Sequence, residues 1–205
     1  MDRHIAWDIG VAGLGARLAD LLDAPFIAQR YSRLVIDCNR DPGRPDACPE
    51  ISDGTPIPAN VGLSDEARQA RVEQGFRPYH AAISEALDAR PGRPAIVALH
   101  SFTPTMNGFA RPWRFGVLHL EDSPLSNAML ARLRAEPDLD PVGDNQPYRM
   151  DGVDFTVPHH AHGRGLDYLE LEVRQDLLAD AKGQQAVAER LARLLPLALA
   201  LADVT

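Results

Sequence analysis

At 205 residues the chain is long enough for one domain with a full core, since domains most often run to about 100–200 residues. Hydrophobic residues at 45% and charged residues at 24% sit near globular averages, which excludes a disordered chain and a coiled coil. With 21 Lys and Arg against 29 Asp and Glu, the formal net charge is −8, so there is no electrostatic footprint for nucleic acid or for an anionic membrane surface. The apolar run Leu194 to Ala202 is broken by Pro196 and is far short of the roughly 20 residues that a membrane span needs. Cys38 and Cys48 are too few for a disulfide scaffold, and no basic stretch followed by an apolar run opens the chain. A cytoplasmic enzyme or binding protein is the class these numbers point to. Lys182 is the only lysine, which leaves nearly all positive charge on arginine.

From Asp8 to Leu22 the apolar residues Ile9, Ala12, Leu14, Leu18, Leu21 and Leu22 follow helical spacing, and Asp23 with Pro25 stops the run. Short β-type segments follow at Phe26 to Gln29 and at Leu34 to Ile36. Asp41 to Gly62 is rich in proline and glycine and shows no period, so it reads as a long loop of the kind that works on a ligand. Ser64 is placed to cap a helix running to about Arg90 and bending at Pro78. "AIVALH" at Ala95 to His100 and Phe115 to Leu120 read as strands buried on both faces. Ser123 and Pro124 open a helix to Leu133. A polar region from Glu136 to Gly165 precedes a strand from Tyr168 to Val173, and a last helix runs from about Gln184 to Ala202 with a kink at Pro196. Alternating strands and helices predict a single α/β domain over residues 1–205.

His100 ends a buried strand, and the carboxyl ends of strands line the ligand crevice of α/β sheets. It is a candidate metal ligand or acid/base group, or else a histidine hydrogen-bonded at the sheet rim. In "YLELEV" strand alternation sends Glu170 and Glu172 to one face, where one of them is a candidate general base and the bland alternative is a wet sheet face. His159, His160 and His162 read as a loop beside Gly163, Arg164 and Gly165, and Arg164 on such a loop is placed to reach a substrate. His80 reads as helix surface, His119 as a strand residue and Cys38 as buried packing. "GVAGLG" at Gly10 to Gly15 falls inside a helix pattern and so is not a nucleotide loop.

Five segments then carry a resemblance. "HIAWDIG" at His4 to Gly10, "RYSRLVIDCNR" at Arg30 to Arg40, "LHSFTP" at Leu99 to Pro104, "GDNQPY" at Gly143 to Tyr148 and "YLELEVRQDL" at Tyr168 to Leu177 resemble, in that order, the N-formylglutamate amidohydrolase family. The resemblance implies a zinc-carboxypeptidase-like fold, a layered, mostly parallel or mixed sheet with helices on both faces. It implies a metal-dependent amidohydrolase of histidine degradation that removes an N-formyl or other N-acyl group from glutamate or a similar amino acid. Its cofactor is zinc or another divalent metal, and its partner is a small-molecule substrate. Asp8 and His100 match metal ligands, Glu172 the base, and Asn39 with Arg40 the pair for the α-carboxylate; Arg33 and Arg174 are further clamps for a dicarboxylate. Zinc with one open position lowers the pKa of its water to about 7, and a carboxylate beside that water takes its proton and returns it to the leaving amine. Family members usually carry a strand with a first metal-binding histidine ahead of the "HIAWDIG" segment, whereas here Met1 stands just before His4. The expectation is either a natural chain that starts further upstream, whose added segment restores the metal site, or a shortened relative with weakened metal binding. The rival expectation is a non-catalytic amino-acid-binding protein.

Overall fold

The computed structural model describes residues 4–120 and 123–202. The first helix, α1 (Val11–Leu22), starts from Gly10, whose φ of 81° is a left-handed conformation that favours glycine. A β-carbon at Gly10 would also run into Leu178, so the position excludes side chains twice over. Val11, Leu14 and Leu18 form the buried stripe of α1, and the "GVAGLG" run is spent on this helix and its entrance.

Neither Phe26–Gln29 nor Leu34–Ile36 is a strand, which corrects the reading of their β-type composition. The first segment has no paired strand among the described residues, and Gly15 of α1 leaves the space that the Phe26 ring fills. The second belongs to a turn in which the Val35 N–H donates to the Ser32 carbonyl at 2.9 Å. The proline-rich loop holds a hairpin of two-residue strands, β1 (Ile51–Ser52) with β2 (Thr55–Pro56), between two 3-10 turns at Pro45–Ala47 and Pro58–Asn60. Asn60 pins it: its amide donates to the Leu34 and Pro49 carbonyls at 2.9 and 2.8 Å, and its oxygen accepts from Arg71 at 2.6 Å.

The long helix is capped by Ser64, whose hydroxyl accepts from the Ala67 N–H. It runs as α2 (Asp65–Arg71), a π-turn over Val72–Phe76 and α3 (Arg77–Asp88). Proline has no N–H and its ring crowds the preceding turn, and the wider π-turn just before Pro78 lets the helix continue past it.

The remaining elements are β3 (Ile96–Phe102), a small hairpin of β4 (Thr105–Met106) and β5 (Phe109–Ala110), β6 (Phe115–Leu118), α4 (Pro124–Arg134), β7 (Gly143–Asp144), α5 (Thr156–His160), β8 (Tyr168–Arg174) and α6 (Ala181–Ala202). The main sheet has the order β3-β8-β6-β7. β3 runs parallel to β8, β6 antiparallel to β8, and β7 parallel to β6. The fold is thus a mixed α/β sheet, as the strand and helix pattern implied. Pro196 lies inside α6, which begins at Ala181 rather than near Gln184. His159 and His160 are on α5 rather than on a loop. No helix among the described residues is long and apolar enough to cross a membrane.

The alternation along β8 decides where the chemistry lies. Leu169, Leu171 and Val173 enter the main core with Leu14 of α1, Leu125 and Met129 of α4, and Leu191 of α6. Tyr168 points the other way, against Leu118, Met150, Val157 of α5 and Ala161 just after it. Glu170 and Glu172 share that second face by the period of two. In register, Ala98 of β3 stands beside Glu170 and His100 beside Glu172. On the other side Gly116 of β6 is the partner of Glu172. A β-carbon at Gly116 would collide with the Gln146 carbonyl oxygen, so this glycine brings the 146 segment down onto the Glu172 row. Gly116→Ala is expected to destabilise the fold by about 1–3 kcal/mol, the usual cost of overpacking. Denaturant unfolding checks it, and an unchanged midpoint would show that the 146 segment yields freely.

Candidate active site

Asp8 is carried by the turn before α1 and fastened to the end of β3. The Ser101 hydroxyl donates to the Ile9 carbonyl at 2.9 Å, and the Asp8 carboxylate accepts from His100 Nδ1 at 2.8 Å and from the Ser101 backbone. Burial works to raise the Asp8 carboxyl, but the His100 hydrogen bond and charge, Arg33 and the Ser101 backbone outweigh it and hold it below its ordinary value. Burial likewise works against a charged His100, yet the Asp8 hydrogen bond and the charges of Glu170, Asp8 and Glu172 raise it to about 10. The pair is therefore an ion pair at neutral pH. Arg33 closes it from outside, with Nη1 3.6 Å from Asp8 and Nε and Nη2 on Asp37 at 3.0 and 2.6 Å.

Glu170 and Glu172 are 3% and 5% exposed, so this sheet face is dry and the bland alternative does not hold. Burial pushes both carboxyls up, Glu172 to about 8 against the pull of His100. Each keeps one oxygen, Oε2, buried and without a hydrogen-bond partner. A buried carboxyl oxygen left unpaired costs free energy unless something else occupies it, which marks this row as a place for a ligand or a reacting group.

Asn39 and Arg40 lie near this row but are engaged with α5. The Asn39 side-chain oxygen accepts from the Phe155 and Thr156 N–H groups at 3.1 and 2.9 Å, and its amide donates to Asp154 at 3.1 Å. Arg40 Nη1 donates to Asp154 at 2.7 Å and to the Asn39 carbonyl at 2.8 Å, and the pair is close enough to Glu170 to influence its proton affinity. Arg174 is turned to Asp176 at 2.7 and 3.1 Å and to the Arg111 and Trp113 carbonyls at 3.3 and 3.5 Å, where it supports the backbone ahead of β6. Arg164 is paired with Asp88 at 2.6 Å beside the end of α3 and does not join the cluster. The site thus gathers Asp8, Arg33, His100, Glu172 and Glu170, with Asn39 and Arg40 beside them.

A trough of about 660 Å³ runs along β3, walled by apolar residues such as Leu18, Phe26, Ile83 and Val97, and reaches Asp8, Arg33 and His100. β3 is at the end of the sheet among the described residues. Among those residues no group of three or more His, Cys, Asp or Glu side chains is arranged to hold a metal ion. Asp8 and His100 give two ligands, already hydrogen-bonded to each other, where a catalytic zinc takes three. The described residues alone do not make a zinc site.

Two features escaped the sequence reading. Arg111 is buried, and it is the only charged residue between Ser101 and Trp113, a signal that was available. His80, read as helix surface, is 7% exposed and His160 1%. His80 Nε2 meets the Cys38 carbonyl at 3.0 Å and can only donate to it, so His80 Nδ1 accepts from His160 Nε2 at 2.8 Å. His160 Nδ1 is then left to accept from the Ser84 hydroxyl at 3.5 Å. The chain of neutral rings ends on the residue before Asn39. No spacing rule could find it, because it joins α3 to α5.

Burial pushes both imidazoles down to about 4, against the Cys38 hydrogen bond at His80 and with neighbouring charges, chiefly histidines, acting in the same sense as burial. The unfolded chain takes up these protons first, so stability should fall as pH drops from about 6.5 towards about 4. Urea unfolding at pH values across that window should show the loss, and His160→Gln should flatten it. An identical slope in the variant would contradict the neutral pair.

Residues 1–179 match the sequence profile of the family described as N-formylglutamate amidohydrolase. A solved gene product of Agrobacterium tumefaciens is similar to 98% of this chain, at 37% identity and a TM-score of 0.92, over 81% of its own length. An N-formylglutamate amidohydrolase from Ralstonia eutropha JMP134 is similar to 68% of this chain, at 20% identity and a TM-score of 0.50, over 57% of its own length, a likeness of fold alone. No curated protein matches the chain.

Proposed function

Because the chain belongs to the N-formylglutamate amidohydrolase family, we propose that it cleaves the amide of an N-acylated amino acid, with N-formylglutamate as the first substrate to test. The observation that carries the reading is the unpaired Oε2 of Glu172, buried on the strand position beside His100. A carboxyl held near the working pH can accept a proton from water and return it to the departing amine. The His100 imidazolium, held by Asp8, offers positive charge where the carbonyl oxygen becomes negative. Arg33 and Arg40 supply charge for the carboxylate of the amino acid. Asn39 acts by holding α5, and Arg174 by supporting the Arg111 backbone.

Zinc enters this proposal as an alternative occupant of the same pair: with it bound, His100 would give up its proton and, with Asp8, act as one of two ligands instead of as an imidazolium, and a third donor would come from outside the described residues. When bound it would supply an activated water and polarise the amide carbonyl; the proton steps above belong to the protein's own groups. The two-ligand set also favours a second reading, an amino-acid-binding relative without hydrolysis. Binding of glutamate with no turnover of any N-acyl amino acid, zinc being supplied, would select it.

Glu172→Gln should lower kcat for N-formylglutamate by at least roughly 10²-fold with the fold intact, the lower range for a general base. Glu170→Gln, one strand pair away, should cost much less. Formate release measured for both variants decides it: equal losses, or no loss at Glu172, would remove the assignment.

A further inference from the structure

Among the described residues the one buried arginine is Arg111, at 7% exposure. Its guanidinium pairs with no carboxylate among the described residues. Nη1 donates to the Thr103 carbonyl and hydroxyl, both at 3.3 Å, and to the Tyr148 hydroxyl at 3.1 Å; Nη2 meets only the Met106 sulfur at 2.9 Å, a weak acceptor. The guanidinium carbon stands 4.8 Å from the Tyr148 ring centroid and 5.7 Å from that of Phe102. Aromatic faces ease the burial of a cation but do not neutralise it. A charge out of water without a counter-ion is costly unless one arrives.

Position says what that counter-ion belongs to. Phe102 and His100 are two apart on β3 and so share a face, and Phe102 is the partner of Arg174 as His100 is of Glu172. Arg111 on Phe102 is therefore roughly one strand repeat, about 7 Å, beyond the His100–Glu172 row. Arg40 lies by Glu170, on the opposite side of that row. The surroundings are built to hold the guanidinium still: Arg174 grips the Arg111 carbonyl, and the Gly116 contact brings down the 146 segment that leads to Tyr148.

We propose that Arg111, steadied by Tyr148, receives a second carboxylate of the substrate, beyond the one on the α-carbon, and so sets a preference for dianionic N-acyl amino acids. The proposal rests on the amidohydrolase reading for the identity of the substrate, but the carboxylate site itself can be tested without turnover.

Glutarate, a dicarboxylate with no bond to cleave, is titrated calorimetrically into wild type, Arg111→Gln and Arg111→Lys, with pentanoate as the single-charge control. Glutarate should bind wild type more tightly than pentanoate, and Arg111→Gln should weaken glutarate by at least ten-fold. Arg111→Lys should recover only part, because it lacks the planar fork. In turnover, the variant's rise in KM should be at least ten-fold larger for N-formylglutamate or N-succinylnorvaline than for N-formylnorvaline, with kcat moving less than KM. Which dianion shows the rise tells whether the carboxylate comes from the amino-acid side chain or from the acyl group. If Arg111→Gln does not fold, Tyr148→Phe replaces it and should weaken glutarate without touching pentanoate. Equal binding of glutarate and pentanoate by wild type, or a folded variant that binds glutarate unchanged, overturns the proposal. Glutarate binding through Arg111 with no hydrolysis of any N-acyl amino acid would sink the amidohydrolase reading and leave the carboxylate site standing.

Discussion

The 2.8 Å hydrogen bond between Asp8 and His100 is the constraint on which the site depends. Both side chains are only partly buried, and each holds the other in its charged form. Together they fasten the turn before α1 to the end of β3, and the Ser101 hydroxyl on the Ile9 carbonyl doubles the tie. The imidazolium that results stands over two carboxyls that burial would keep protonated, and it draws their proton affinity back down. One ion pair therefore shapes both the backbone and the proton chemistry of the row.

The sheet makes that arrangement possible by separating its two faces completely. Leu169, Leu171 and Val173 fill the main core, while Glu170 and Glu172 stand between them on the opposite side. A strand with this alternation needs a helix on each face. α1, α4 and α6 cover the apolar one, and α5 with its histidine relay to α3 closes part of the other. The relay reaches the Cys38 carbonyl, next to the Asn39 that holds the start of α5, so the two sides of the site share one support.

Much of this was legible in the sequence where the signal was local. The alternation in "YLELEV" put both carboxylates on one face, Ser64 and Ser123 marked helix starts, and the apolar run ending in His100 marked a strand. What depended on contacts between distant segments was not legible. Phe26–Gln29 has the composition of a strand, but the Phe26 ring docks on α1, the Gln29 amide donates to the Gly75 carbonyl, and no strand among the described residues pairs with the segment. The resemblance assigns Asn39 and Arg40 to the substrate's carboxylate, but their bonds to Asp154, more than a hundred residues on, follow from the fold alone. His80 sat on a helix whose buried side could not be told from its apolar content, because the partner is another histidine. Arg164 was read from its glycine neighbours, and its surface partner Asp88 follows from the fold alone.

The central claim is that the ion pair of Asp8 and His100 serves amide cleavage rather than the fold alone. The most direct measurement is release of glutamate from N-formylglutamate by the wild-type chain and by Asp8→Asn, with zinc in the buffer and folding checked by circular dichroism. The account predicts glutamate release by wild type and a loss of at least roughly 10²-fold in a folded Asp8→Asn. A folded Asp8→Asn that releases glutamate as fast as wild type would contradict it.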